Sequence, residues 1–320
     1  MTLLAGHDSV WSEWIEALNS KRLHHAWILV GSKGLGKGQF ARMAAARLVA
    51  ETGLVQPNWA VHPDILVLDH LPLNEAEEDK KADGKPFQTK RNITIDQVRR
   101  MQHRLTTRPT LGRRRAVIID PADDLEKNAA NALLKSLEEP PAGTFFMLVA
   151  HRPGRLLATI RSRCRILRFA PLSDREVEKI LTESAPEANP ATRAAALAAA
   201  KGSPGAALEF VTQDLGALHA LMQRLIAEGD DHFALRGALA EEIGVRPDRE
   251  RLAAALDLAR AVVAAELATS SRARQDRVIA AHGELVRISG QVVTYNFDPA
   301  LLVLEIGALL ASLAMPRETA

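Results

Sequence analysis

The sequence predicts an α/β domain built on a parallel sheet, followed by an all-helical remainder. Three observations carry this. Short apolar runs at Leu23 to Val30, at residues 115–120 (RAVIID) and at residues 144–150 (TFFMLVA) read as strands buried on both faces. Stretches with helical spacing separate them, as the crossovers of a parallel sheet require. Beyond Pro171 the strand-like runs stop, and Ala/Leu-rich segments with helical periodicity take over.

Composition narrows the class. The chain has 320 residues, too many for one core, so two or three domains are expected. Charged residues at 25% and hydrophobic residues at 47% describe an ordinary soluble protein. A net charge of +2 is too small to imply nucleic-acid binding from bulk electrostatics, although clustered charge could still do so. The single cysteine excludes an internal disulfide and a cysteine-based zinc cluster, and it fits a reducing cytosol. No run reaches the length of a membrane span, and the N-terminus lacks the basic-then-apolar profile of a signal peptide. A cytoplasmic protein without a membrane partner is expected.

The elements follow in order. Residues 8–19 put Val10, Trp11, Trp14, Ile15 and Leu18 on one helical face, with Asp8 as the expected N-cap. The strand to Val30 runs into Gly31-Ser-Lys-Gly34-Leu-Gly36-Lys37-Gly38 and a helix, QFARMAAARLVAE. Strand, glycine loop and helix make the context of a phosphate-binding loop: amides point inward, the lysine reaches terminal phosphates and the helix N-terminus adds partial positive charge. The GxxxxGK spacing is complete, but the next position, where a Ser or Thr hydroxyl would ligate magnesium, is Gly38. Phosphate could then be cradled while the metal is held poorly. The loop reads either as a relic or as a nucleotide site without turnover.

Asp120 ends the RAVIID strand, where phosphate-loop ATPases place a metal-coordinating Asp beside a Glu that activates water. Here the neighbour is Pro121, so that base is missing; Asp123 reads as a capping residue. Residues 62–69 (HPDILVLD) make a further strand candidate. Residues 74–90 are charged and non-periodic, which predicts an exposed, mobile loop. Residues 93–105 read as a helix capped by Thr94. Its Arg99, Arg100, His103 and Arg104, with Arg108 and Arg113 to Arg115 nearby, form either a solvated face or a surface for nucleic-acid phosphates. A helix over PADDLEKNAANALLKSLEEPP places Leu125, Ala129, Leu133, Leu134 and Leu137 at helical spacing before Pro140 and Pro141 stop it. The block closes on Arg161-Ser162-Arg163-Cys164, a cationic tip with no anion in its own stretch.

HHAWILVGSKGLGKGQFA, ITIDQVR, NALLKSLEEPP, HRPGRLLATIRSRC and GSPGAAL together resemble the delta-prime family of bacterial DNA polymerase III clamp-loader subunits, within the AAA+ proteins. They cover most of residues 20–210, and YNFDPALLVLEIGALLASL extends the likeness weakly. NALLKSLEEPP followed by SRC is the specific part; the phosphate loop alone would not be. The resemblance implies a AAA+ phosphate-loop domain over 1–170, a three-helix lid over 171–208 and a helical collar domain over 209–320. It implies that Arg163 is an arginine finger inserted into the ATP site of a neighbouring subunit, a task suited to the planar, permanently charged guanidinium. Ser162 and Cys164 would position the turn, with Cys164 a buried small hydrophobe.

Gly38, Pro121 and the absence of a lid arginine in Gly202-Ser203-Pro204-Gly205 remove three elements of an ATPase site together. The family's four-cysteine zinc module has no counterpart, since Thr52 to Val61 holds no cysteine and His62 alone cannot hold zinc; no metal is expected. The implied function is a largely non-hydrolysing accessory subunit of a DNA polymerase holoenzyme, helping to load the sliding clamp onto primed DNA. Its implied partners are gamma/tau and delta subunits. The expected site residues are Arg163 and, for ATP or ADP in a degenerate loop that needs no cofactor, Gly31, Gly34, Gly36, Lys37, Gly38 and Asp120. The alternatives are an autonomous AAA+ ATPase acting on DNA, against which Gly38 and Pro121 argue, and a stand-alone DNA-binding module. In the helical part, Ser173 caps a helix with Glu176 in the capping-box position, and breaks are expected at Gly244 to Pro247 and Thr269 to Arg272.

Overall fold

A computed structural model of the chain describes residues 6–20, 22–244, 247, 249–292 and 297–314. It divides into two compact units, residues 1–172 and 173–320.

The first unit is a five-stranded, all-parallel sheet in the order β2-β3-β4-β1-β5. The strands are β1 (Ala26–Val30), β2 (Ile65–Leu68), β3 (Arg115–Ile119), β4 (Thr144–Ala150) and β5 (Arg165–Arg168). The expected first and second strands thus shorten to Ala26 and Ile65. Ahead of β1, His24 Nδ1 lies 2.8 Å from the carbonyl of Ala26 in a local turn.

Alternation along the strands sorts the apolar residues onto two faces. Trp27, Leu29, Ile118, Met147 and Val149 pack with Trp14 of α1 (Asp8–Asn19) and with Phe40, Ala44 and Leu48 of α2 (Lys37–Val49). Ile28, Val117, Ile119, Phe146 and Leu148 face the other way. A short helix α3 (Glu75–Ala82) precedes the two that cover this second face: α4 (Ile95–Leu105), through Val98 and Met101, and α5 (Lys127–Glu138), through Leu133 and Leu137. Burial on both sides is why these strands read as continuous apolar runs.

Four local expectations are corrected. Asp8 is the first helical residue of α1 rather than its cap; His7 holds the cap position and its Nε2 lies 2.9 Å from the carbonyl of Leu35. The region 74–90 is not a structureless loop. Asn74 caps α3 by accepting the Glu77 amide at 3.0 Å, and the Glu77 carboxylate accepts from Lys80 at 2.7 Å and from the Gln88 amide at 2.6 Å. Local capping and charge pairing thus make a helix that hydrophobic periodicity does not announce. Arg115 does not join a surface cluster. Its buried guanidinium lies 3.6 Å from the buried carboxylate of Asp64 and donates to the carbonyls of Arg104, Thr107 and Arg108, tying down the connection from α4 to β3. Finally, one helical turn, α6 (Ala158–Arg161), and the edge strand β5 follow β4, and neither is in the expected set.

The second unit is helical: α7 (Asp174–Ser184), α8 (Pro190–Ala200), α9 (Pro204–Thr212), α10 (Gly216–Glu228), α11 (Ala234–Ile243), α12 (Arg249–Thr269), α13 (Arg272–Val292) and α14 (Pro299–Ala311). Ser173 caps α7, and Glu176 Oε2 accepts the Ser173 amide at 2.8 Å, the expected capping box. Ser270 and Ser271 separate α12 from α13, which form a hairpin; α10, α11, α12 and α14 pack around Met222, Leu225, Leu239, Leu256 and Ile306. Parts of two expectations, Val245 and Arg246 of the break and Tyr295 and Asn296 of the last motif, lie outside the described residues. No described helix is long and apolar enough to cross a membrane.

Candidate functional site

The phosphate loop leaves β1 at the carboxyl edge of the sheet, where open α/β sheets bind ligands. Its first residue is fixed as glycine by a close approach. Gly31 has φ +156°, and a Cβ there would sit 2.6 Å from the carbonyl oxygen of Phe169, just past β5. Gly34 and Gly36 take positive φ of 83° and 78°, and Gly36 opens α2. Lys37 is buried and folds back, its Nζ donating to the carbonyls of Gly31 at 2.7 Å and Ser32 at 2.6 Å. Burial lowers its pKa to about 8, against the opposing pull of the Asp123 and Asp120 carboxylates. The loop therefore keeps its glycine geometry and its lysine.

The metal position does not survive. Asp120 follows β3 as expected, but Arg42, one turn along α2 from Gly38, donates to its Oδ2 at 3.0 Å. A Cβ added at Gly38 would lie 2.3 Å from that same Oδ2 and 2.7 Å from Arg42 Nη1. Gly38 thus leaves room for the ion pair, and a side chain there would push aside the ends of Asp120 and Arg42. On its other side the Arg42 guanidinium lies over the Trp59 ring, 5.2 Å from the centroid. A magnesium ion does not fit this arrangement: the hydroxyl ligand is absent and the carboxylate ligand already holds a cation.

Two residues at the site escape sequence reasoning. Asp123 caps no helix; its buried carboxylate accepts the amides of His151 at 2.9 Å and Arg152 at 3.0 Å, fastening the end of β3 to the end of β4. His151 follows β4 with its Nδ1 buried and without a hydrogen-bond partner. Burial and the Lys37 ammonium lower its pKa. The signal for His151 is a polar residue standing directly after a strand whose last five residues are all buried. The Asp120–Pro121 peptide is cis.

Arg163 lies apart from this cluster, on the turn between α6 and β5. Contrary to the expectation of no anion within its stretch, its guanidinium reaches Glu138 Oε1 at 2.6 Å, at the end of α5, and donates to the carbonyl of Thr159 at 2.9 Å. Both partners of the pair are well exposed, 36% for Arg163 and 48% for Glu138. Cys164 beside it packs against the core, and burial pushes its thiol up to about 12, so it is an inert small hydrophobe there. His62, the lone candidate zinc ligand, is bonded to Gln56 at 2.8 Å.

The model for "DNA polymerase III, delta subunit" matches residues 6–173, the whole of the α/β unit. The chain belongs to this family. It is 39% identical to the DNA polymerase III subunit delta' of Escherichia coli over 160 residues, 49% of this chain and 48% of that protein. The delta' subunit of Pseudomonas aeruginosa is 36% identical over 169 residues, 49% of this chain and 45% of the relative. The tau subunit of Salmonella typhimurium is 27% identical over 316 residues, 96% of this chain and 46% of tau. The chain thus spans about half the length of the curated relatives it matches. Among solved structures, a DNA polymerase III gamma subunit-related protein from Thermotoga maritima aligns over 93% of this chain and 98% of its own, at 19% identity and TM-score 0.49. The α/β unit carries a phosphate loop with glycine at the position of the metal-binding hydroxyl.

Proposed function

We propose that the chain works as a delta-prime-like subunit of a DNA polymerase III clamp loader, one that completes the ATP site of a neighbouring subunit and hydrolyses no ATP itself. The observation that carries this is the contrast between Arg42, enclosed against Asp120, and Arg163, exposed on a turn. An arginine finger stabilises the charge that develops on a phosphoryl group in transfer, and it must be free to reach a phosphate held by another chain. In this reading Arg163 acts in trans on ATP bound to a gamma/tau-type subunit, a delta-type subunit is a further partner, and the sliding clamp and primed DNA are reached through the complex in the cytoplasm. Helices α7 to α9 serve as the lid, which runs past the expected boundary at residue 208 to Thr212, and helices α10 to α14 serve as the collar. ATP or ADP would bind the degenerate loop without being required.

A drop-out loading assay tests the proposal. A complex assembled without this chain should fail to place the clamp on primed DNA, and adding the chain back should restore loading. Lys37→Ala should restore it as fully as the unaltered chain. Loading that proceeds without the chain, or that fails with Lys37→Ala, would discard the proposal.

A further inference from the structure

We propose that the Arg42 guanidinium is the resident cation of the phosphate loop: it holds the seat in which loops of this kind carry a divalent metal, so the site admits a phosphate anion only without its metal. The inference deepens the non-hydrolysing half of the proposed function and rests on that reading; it is independent of whether Arg163 acts in trans.

The argument is geometric. In working phosphate-loop sites the metal is held between a hydroxyl at the residue after the lysine and the Asp at the end of the β3 strand. Here those two positions are Gly38 and Asp120, and Arg42 Nη1 lies against both, 3.0 Å from Asp120 Oδ2 and 2.7 Å from where a Gly38 Cβ would stand. Three features fix the guanidinium in place. It springs from α2, the helix that begins at Lys37; Trp59 covers its other face; and glycine at 38 leaves the room it needs. A guanidinium supplies positive charge and directional N–H donors but has no open coordination position. It can therefore neutralise Asp120 and hydrogen-bond an anion on the loop amides, yet it cannot coordinate phosphate oxygens or polarise a bound water as a metal does.

The test uses the full chain with ADP and Mn2+, read by the water-proton relaxation of the bound ion. With the unaltered chain, relaxation should equal that of Mn2+–ADP alone. Arg42→Ala combined with Gly38→Ser should raise it, because Asp120 is released and a hydroxyl returns. The single variant Arg42→Ala, which leaves Asp120 open, is the second arm should the double variant unfold, with circular dichroism as the folding check. Enhancement by the unaltered chain that disappears in Asp120→Asn would overturn the proposal, as would folded variants that gain no bound metal. ATP hydrolysis in the same samples separates the two readings. Metal bound by the unaltered chain without turnover defeats only the resident-cation inference, whereas Lys37-dependent turnover by the unaltered chain defeats the non-hydrolysing reading with it.

Discussion

Two of the arginine–carboxylate pairs in the α/β unit, those of Arg42 and Arg163, have opposite meanings because of their surroundings. Arg42 meets Asp120 with side chains 24% and 17% exposed, flanked by Trp59 and by a residue with no side chain. Arg163 meets Glu138 at a shorter distance, 2.6 Å against 3.0 Å, but on an open surface. Distance alone would rank the Arg163 pair as the stronger. Solvent reverses that order, because an exposed pair is screened and fixes two flexible side chains, and so contributes only about 0–1 kcal/mol. A pair of that strength would leave Arg163 available to a phosphate, as the proposed finger role requires. The Arg42 pair is largely withdrawn from water, so removing one partner strands the other. One arginine closes a site and the other is available to complete one.

The largest expected effect comes from the exposed arginine. In a reconstituted complex with a gamma-type ATPase subunit, Arg163→Ala should leave folding intact and lower turnover at the site it serves by about 10³-fold or more. Arg163→Lys should recover little, since an ammonium lacks the planar fork. An unchanged single-turnover rate would remove the finger assignment and with it half of the contrast.

Stability comes next. Arg42→Met should cost about 1–3 kcal/mol in urea unfolding, by leaving the Asp120 carboxylate partly buried and unpaired. The matching Arg163→Met should stay within about 0.5 kcal/mol. Equal effects would show that the two pairs differ in nothing but position.

A smaller change is expected from the partner of the exposed pair. Glu138→Gln frees Arg163 from a contact worth at most about 1 kcal/mol, so the complex should turn over up to about five-fold faster if releasing the pair precedes the finger's action. A rate that falls instead would make Glu138 a support for the finger rather than a restraint.

The smallest effect is a slope. Lys37 has its pKa lowered to about 8, below the ordinary lysine value of 10.5. Between these two values the unfolded chain binds more protons than the folded one, so stability should rise with pH across that window. Below about 8 both states are protonated and the contribution is flat. Lys37→Met should therefore lessen the rise in urea midpoint between about pH 8 and 10 relative to the unaltered chain; identical slopes would place Lys37 in a more open setting.

Much of this was legible in the sequence, and the exceptions share a cause. The phosphate loop, the buried strands and the capping box at Ser173 are local patterns, written in consecutive residues. The edge strand β5 was missed because an edge buries little. Arg165 and Arg168 are exposed and Leu167 alone is buried, so RILR lacks the apolar run of the inner strands. Helix α3 was missed because its stability comes from Asn74 and Glu77 rather than from an apolar face. Gly38 was visible as a departure, but its reason was not, since Arg42 and Asp120 are 78 residues apart and meet only when β3 is set beside α2. Asp123 likewise reads as a local cap until the end of β4 is brought to it. Arg115 illustrates the opposite error: a run of arginines suggests a surface, yet its last member is buried against Asp64.

The most direct test of a site closed in its own chain is ATP hydrolysis by the purified chain alone, with magnesium, beside Lys37→Ala. The account predicts no turnover above that control, and hydrolysis only once the ATPase subunit is added. Clear, Lys37-dependent turnover by the chain alone would mean that another residue holds the metal and activates water, and the closed-site account would be wrong.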